Sequence, residues 1–153
     1  MAEKVIEKLL LVLDAAVESP QAVDFALDLA HRLSCKLIAV HVIDTDMVGH
    51  LVDMRVLLTE ERDDMLEALE MQGNRILNDL KSRCCELNVT LHDALRCRGR
   101  FDQAVLKVAK KTGADAVVVG GWRVDSSKAK DNSSIVRHLL LEQATFPVFV
   151  IHG

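Results

Sequence analysis

The chain alternates short apolar runs with longer stretches whose apolar positions recur every three or four residues. The short runs are Leu9–Leu13, Leu37–Ile43, Val89–Leu95, Ala116–Val119 and Val148–Ile151. Most are continuously apolar, as strands buried on both faces of a parallel sheet should be. The third carries His92 and Asp93 and fits an edge. Four helical patterns lie between them. Ser19-Pro20 opens the first, because serine can cap free amides and proline suits the first helical position. Its inward face reads Ala22, Phe25, Ala26, Leu29 and Leu33. The second starts near Thr59 and carries Leu66, Leu69, Gly73, Ile76, Leu80, Cys84 and Leu87 at gaps close to a heptad. Such a stripe either lies on the sheet or meets a partner helix; the first is the simpler reading. The third turns Phe101, Ala104, Val105, Val108 and Ala109 inward and stops at Gly113. The fourth carries Ile135, Val136, Leu139 and Leu140, with Pro147 beyond its end. Residues 44–58 show no clear period and read as a mobile loop.

This alternation of strands and helices implies an α/β fold, one domain spanning residues 1–153. Its single parallel five-stranded sheet has helices on both faces. Ligands of such sheets bind beyond the carboxyl ends of the strands, where the strand order reverses. The residues just after each strand therefore carry the functional question.

Composition narrows the partners. Hydrophobic residues make up 50% and charged residues 27%, a soluble globular balance. Four Phe, one Trp and no Tyr offer little for stacking bases, and a net charge of −4 adds to the argument against nucleic acid. Charge is uneven. Residues 53–70 hold seven acids against Arg55 and Arg62, whereas the lysines and arginines of 96–130 are opposed only by Asp102, Asp115 and Asp125. That basic stretch either draws a phosphate or is a solvated face. No apolar stretch approaches the roughly 18–20 residues of a membrane span. Lys4, Glu7 and Lys8 break the opening, so no signal peptide is expected. Cys35, Cys84, Cys85 and Cys97 lack paired spacing and read as reduced thiols of a cytoplasmic protein.

Candidate chemistry is sparse. Asp14 follows the first strand and can accept hydrogen bonds from a ribose hydroxyl, an adenine amino group or nearby amides; it can equally close a turn. Gly120 ends the fourth strand and lets backbone approach a ligand. Ser133 and Ser134 open the last helix, where free amides favour an anion, although a capping serine is the simpler use. Arg123 and Lys128 lie in the loop between, free to pair with phosphate or to stay solvated. His92 and Cys97 have no further ligands at zinc spacing. Cys84 and Cys85 read as two ordinary thiols, and His138, among apolar residues, as a core or interface group. Arg96, Arg98 and Arg100 alternate at a strand end. Only Asp14 and His41 are candidates for catalysis, and neither has a visible partner.

The strand running into Asp14, Ser19-Pro20, "AVHVID" at 39–44, Gly99, "GADAVVVG" at 113–120 and "PVFVI" at 147–151 together resemble the universal stress protein family over nearly the whole chain. The fold expected is a doubly wound sheet of order 3-2-1-4-5. The resemblance implies an adenine-nucleotide pocket for ATP or AMP, with magnesium accompanying ATP. Leu13, Asp14 and Val42 would contact adenosine, and Val119 and Gly120 would line base or ribose. Ser134 and Ile135 would offer amides to phosphates. It also implies a homodimer through the last strand, Val148–Ile151. ATP-binding members carry Gly, two residues, Gly, nine residues, Gly, then Ser or Thr. Here that frame reads Gly120, Arg123, Ser133, Ser134, with its length kept and two glycines replaced. The family's glycine and serine after the aspartate are Ala15 and Ala16. Two functions follow: a nucleotide-binding stress module with at most slow, incidental ATP hydrolysis, or an interaction dimer that binds a protein partner and no nucleotide. No catalytic residue and no metal ligand is assigned.

Overall fold

The computed structural model describes residues 5–15, 19–122 and 132–152, with the side chains of 121–122 and 132–136 outside that description. The elements run β1 (Lys8–Asp14), α1 (Pro20–Leu33), β2 (Lys36–Ile43), α2 (Thr45–Asp53), α3 (Glu61–Glu86), β3 (Leu91–Arg98), α4 (Phe101–Thr112), β4 (Ala116–Trp122), α5 (Asn132–Gln143) and β5 (Val148–His152). All strand pairs are parallel, in the order β3-β2-β1-β4-β5. The fold is a doubly wound α/β sheet, as the alternation implied.

The central strand shows why continuous apolar runs were needed. Leu9, Leu11 and Leu13 face one core with α1 and α3 residues such as Ala26, Leu77 and Leu80. Leu10 and Val12 face the other, with Val105 and Val108 of α4 and Leu140 of α5. Pairing of β1 with β4 ends at Val12 and Val119, while pairing with β2 continues to Asp14 and Val42. The chain leaves β2 and β4 in opposite directions along the sheet, so a crevice opens between the ends of β1 and β4.

Several expectations need correction. The 44–58 segment is not one loop: Asp44 caps α2 by accepting from the Met47 amide at 3.1 Å, and Val48 is buried. A nine-residue helix is too short for its period to stand out. β4 runs through Gly120, Gly121 and Trp122, and β3 runs three residues beyond Leu95. In α1 the buried set is Ala22, Ala26, Leu27 and Ala30, leaving Leu33 exposed. On α3 the stripe lies on the sheet only in part. Leu66, Gly73, Leu80 and Cys84 are buried, but Leu77 replaces Ile76 at the centre and Leu87 is exposed. A straight helix of 3.6 residues per turn drifts away from a heptad line, which accounts for the change. His138 is exposed.

Gly73 marks where α3 touches the sheet. A Cβ there would lie 2.4 Å from Nδ1 of His41, which is 1% exposed within β2. The glycine is set by the histidine ring beneath it, against its cost of about 1 kcal/mol relative to alanine in a helix. Gly73→Ala should therefore destabilise the protein by about 1–3 kcal/mol through overpacking. In a His41→Ala background the same change should stabilise by up to about 1 kcal/mol, the ordinary helix preference. Urea unfolding of the four proteins reads the sign reversal; the same sign in both backgrounds would remove this account.

Candidate functional site

The crevice is built from three strand and helix ends. Asp14 closes β1, and its Oδ2 accepts from Arg137 of α5 at 2.8 Å. The two side chains are 10% and 4% exposed respectively. The Arg137 guanidinium lies 4.7 Å from the centroid of the Phe101 ring, and its NH2 group is 3.5 Å from the Gly120 carbonyl oxygen. A cation over a desolvated ring contributes about 1–2 kcal/mol. Burying two ions is costly, and removing one partner of such a pair typically costs about 3–5 kcal/mol. Phe101 is placed by Asp44, whose second oxygen accepts the Phe101 amide at 3.2 Å. One carboxylate at the end of β2 thus fixes the starts of both α2 and α4.

Beside the pair, on the α1 and α3 side, lies a cavity of about 210 Å³ lined by Leu13, Asp14, Ser19, Val23, Ile76 and Gly120. Its walls are mainly apolar, with the carboxylate and the Ser19 hydroxyl as polar points. Such a lining suits a flat, weakly polar group that also offers a hydrogen-bond donor. Ser19 caps α1 by accepting from the Ala22 amide at 3.3 Å. A Cβ on Gly120 would lie 2.2 Å from the Ser19 Oγ and 2.6 Å from the Ala22 Cβ. The glycine read in the sequence as room for a ligand is here room for the start of α1.

Of the residues singled out in the sequence, Leu13, Asp14 and Gly120 meet at this cavity. Val42 and Val119 lie on β2 and β4, on either side of β1, and their side chains are buried in the α4–α5 core. The Val42 carbonyl accepts from the Ala15 amide at 3.0 Å. Ser133, Ser134 and Ile135 fall in the first turn of α5, with side chains outside the described residues; Arg123, Lys128 and Ala16 also lie outside them. Arg137 and Ser19 complete the site. Arg137 had a legible signal: it stands three residues before Leu140, on the same buried helical face, where a cation needs an acid partner.

The remaining candidates are used elsewhere. Arg96 donates to Asn74 at 2.6 Å, Arg98 pairs with Glu70, and Arg100 holds the buried Asp102 through two bonds of 2.6 and 2.8 Å. The alternating arginines are therefore divided between α3 and α4. Cys84 is buried and Cys85 exposed; burial pushes the thiols of Cys84 and Cys97 up. Among the described residues no group of His, Cys, Asp or Glu could hold a metal ion. Among them, too, no helix is long and apolar enough to cross a membrane.

His41 lies under α3, and neither ring nitrogen has a hydrogen-bond partner. Burial lowers its pKa below 6.5; Asp14 opposes that shift and Arg96 adds to it. The neutral ring is thus the folded form, and the unfolded chain binds the proton more readily. Stability is complete above about pH 6.5 and falls as pH drops through the folded value. Compared with His41→Leu, the wild type should lose stability between pH 7.5 and 5.5 by up to about 1.4 kcal/mol per pH unit. Parallel pH profiles for the two proteins in chemical denaturation would refute this.

The family model described as Universal stress protein family matches residues 6–152. No curated protein matches the chain. Among solved structures, a protein from the universal stress protein family from Burkholderia pseudomallei is 22% identical with a TM-score of 0.70, each chain covered to 98%. A universal stress protein in complex with cAMP is 17% identical with a TM-score of 0.62, covering 96% of this chain and 97% of that one. A universal stress protein from Archaeoglobus fulgidus in complex with dAMP is 18% identical with a TM-score of 0.57, covering 95% and 98%.

Proposed function

The chain belongs to the universal stress protein family, and from that premise we propose that it is a single-domain stress-response module that binds an adenine nucleotide in the crevice between β1 and β4. The observation that carries this reading is the largely buried Asp14 carboxylate facing a mainly apolar cavity at the point where the strand order reverses. The base would lie against Leu13, Val23 and Ile76, and Asp14 would accept from its amino group or from a ribose hydroxyl. The phosphate would meet the amides at the start of α5, near Ser133, Ser134 and Ile135. Two structural neighbours hold cAMP and dAMP, which supports a monophosphate. ATP with magnesium is the less favoured ligand, because Arg123 and Ser133 replace two glycines of the phosphate frame. The role is binding, with no catalytic residue assigned, in the cytoplasm.

Titration calorimetry and thermal shift should detect AMP at millimolar concentration or below. A hundredfold excess over Kd adds about 2.7 kcal/mol of stability. Asp14→Ala should weaken binding at least tenfold. Absence of heat and of any shift with AMP, cAMP and magnesium-ATP, all at millimolar concentration, would end the nucleotide reading.

The module is proposed to act as a homodimer through β5. That strand is a sheet edge, and Val148, Phe149, Val150 and Ile151 are each only partly buried in the single chain. An apolar edge left unpaired invites aggregation, and pairing with a twin removes it. Sedimentation should show one species at twice 17.0 kDa. A species of 17.0 kDa at tens of micromolar would exclude this interface.

A second reading, an interaction module without nucleotide, is favoured by the exposure of Met54, Val56 and Leu58 between α2 and α3. It also draws on the occupation of the Gly120 approach by Ser19 and Ala22. Nucleotide that copurifies with the protein, seen as excess absorbance at 260 nm, would set it aside.

A further inference from the structure

Asp14 presents a difficulty for an anionic ligand. A bare carboxylate at the mouth of a low-dielectric crevice repels a phosphate placed near it. Arg137 answers this within the fold: its guanidinium sits 2.8 Å from Oδ2 and is held in place over the Phe101 ring. We infer that Arg137 is the specificity-determining residue of the proposed site, cancelling the Asp14 charge so that a nucleoside phosphate, and not only a neutral nucleoside, can share the crevice. The inference rests on the nucleotide reading above and adds the ligand class it selects.

The geometry decides against the opposite role, a plug that a ligand must displace. The cavity lies toward α1 and α3, whereas Phe101 belongs to the core on the α4 and α5 side. Removing one partner from a buried ion pair is costly enough that a ligand forced to do so would lose about two to four powers of ten in affinity. No displacement is needed, because a carboxylate has about four acceptor positions and can serve Arg137 and a ligand donor together. Arg137 acts through Asp14, and so it is a positioning and charge-balancing residue.

The test is the ratio of AMP to adenosine affinity, measured by calorimetry on folded variants. The charge of the pair is neutral in the wild type and in Arg137→Lys, negative in Arg137→Met, positive in Asp14→Asn, and neutral again in the double variant Asp14→Asn/Arg137→Met. The preference for AMP should fall about tenfold in Arg137→Met. It should stay near wild type in Arg137→Lys, rise in Asp14→Asn, and return toward wild type in the double variant. A purely structural role for Arg137 would weaken adenosine and AMP alike and leave the ratio fixed; that outcome overturns the inference. If Arg137→Met does not fold, Asp14→Asn carries the test, and an unchanged or lower ratio there overturns it. A wild type that binds neither adenosine nor AMP overturns the nucleotide reading, and the inference with it. A wild type that binds both, with a ratio indifferent to these charges, overturns the inference alone.

Discussion

Beyond Val12 and Val119 the two central strands stop pairing, and just past that point β1 ends in the largely buried carboxylate of Asp14. In β2 the buried ring of His41 feels that charge, but burial favours its neutral form, so the balance comes from outside the sheet. α5 supplies the counter-ion from the second turn of a helix packed against α4. The contact requires Phe101 beneath Arg137, and Phe101 in turn requires the Asp44 oxygen on its amide. β1, β2, α4 and α5 are thus tied together at one end by two aspartates. Such an arrangement is a weak source of net stability but a strict one for geometry, since each partner is costly to remove once the others are in place.

The cavity beside the pair owes its shape to two close approaches. α3 lies on β2 at Gly73 because His41 occupies the space a side chain would need. α1 begins against β4 at Gly120 because Ser19 and Ala22 fill the space there. These helices then contribute Ser19, Val23 and Ile76 to the lining. A larger residue at either glycine would lift a wall of the cavity as well as loosen the core. Fold and site are coupled here by sterics, without any need for a moving part.

The sequence made the sheet legible because apolar runs buried on both faces have few competing readings. The strand order came with the family resemblance, and the cap at Ser19 followed from the chemistry of serine before proline. Legibility failed where a residue's role is decided by a partner far along the chain. Gly120 was read toward a ligand, since nothing local says that α1 packs on it. Arg137 was passed over because it interrupts an apolar helix, and an isolated cation in such a helix gains meaning only with Asp14 across the fold, 123 residues away. α2 was missed because a short helix over a strand end rests on one cap and one buried valine.

The basic stretch from Arg96 onward shows how charge counted along a chain can mislead about charge at a site. Arg96 and Arg98 are spent on Asn74 and Glu70 of α3, and Arg100 on Asp102. Lys107, Lys110 and Lys111 stand on the exposed face of α4. Among the described residues, the cation that reaches the crevice is Arg137, and it is already engaged with Asp14. Among the described residues, then, attraction for a phosphate draws on no surplus side-chain charge. It draws on oriented backbone amides, and those act well only where no uncompensated anion stands beside them. On the proposed reading, a neutral crevice is a condition for holding a nucleoside phosphate, and the Asp14–Arg137 pair would supply it beyond its small contribution to stability.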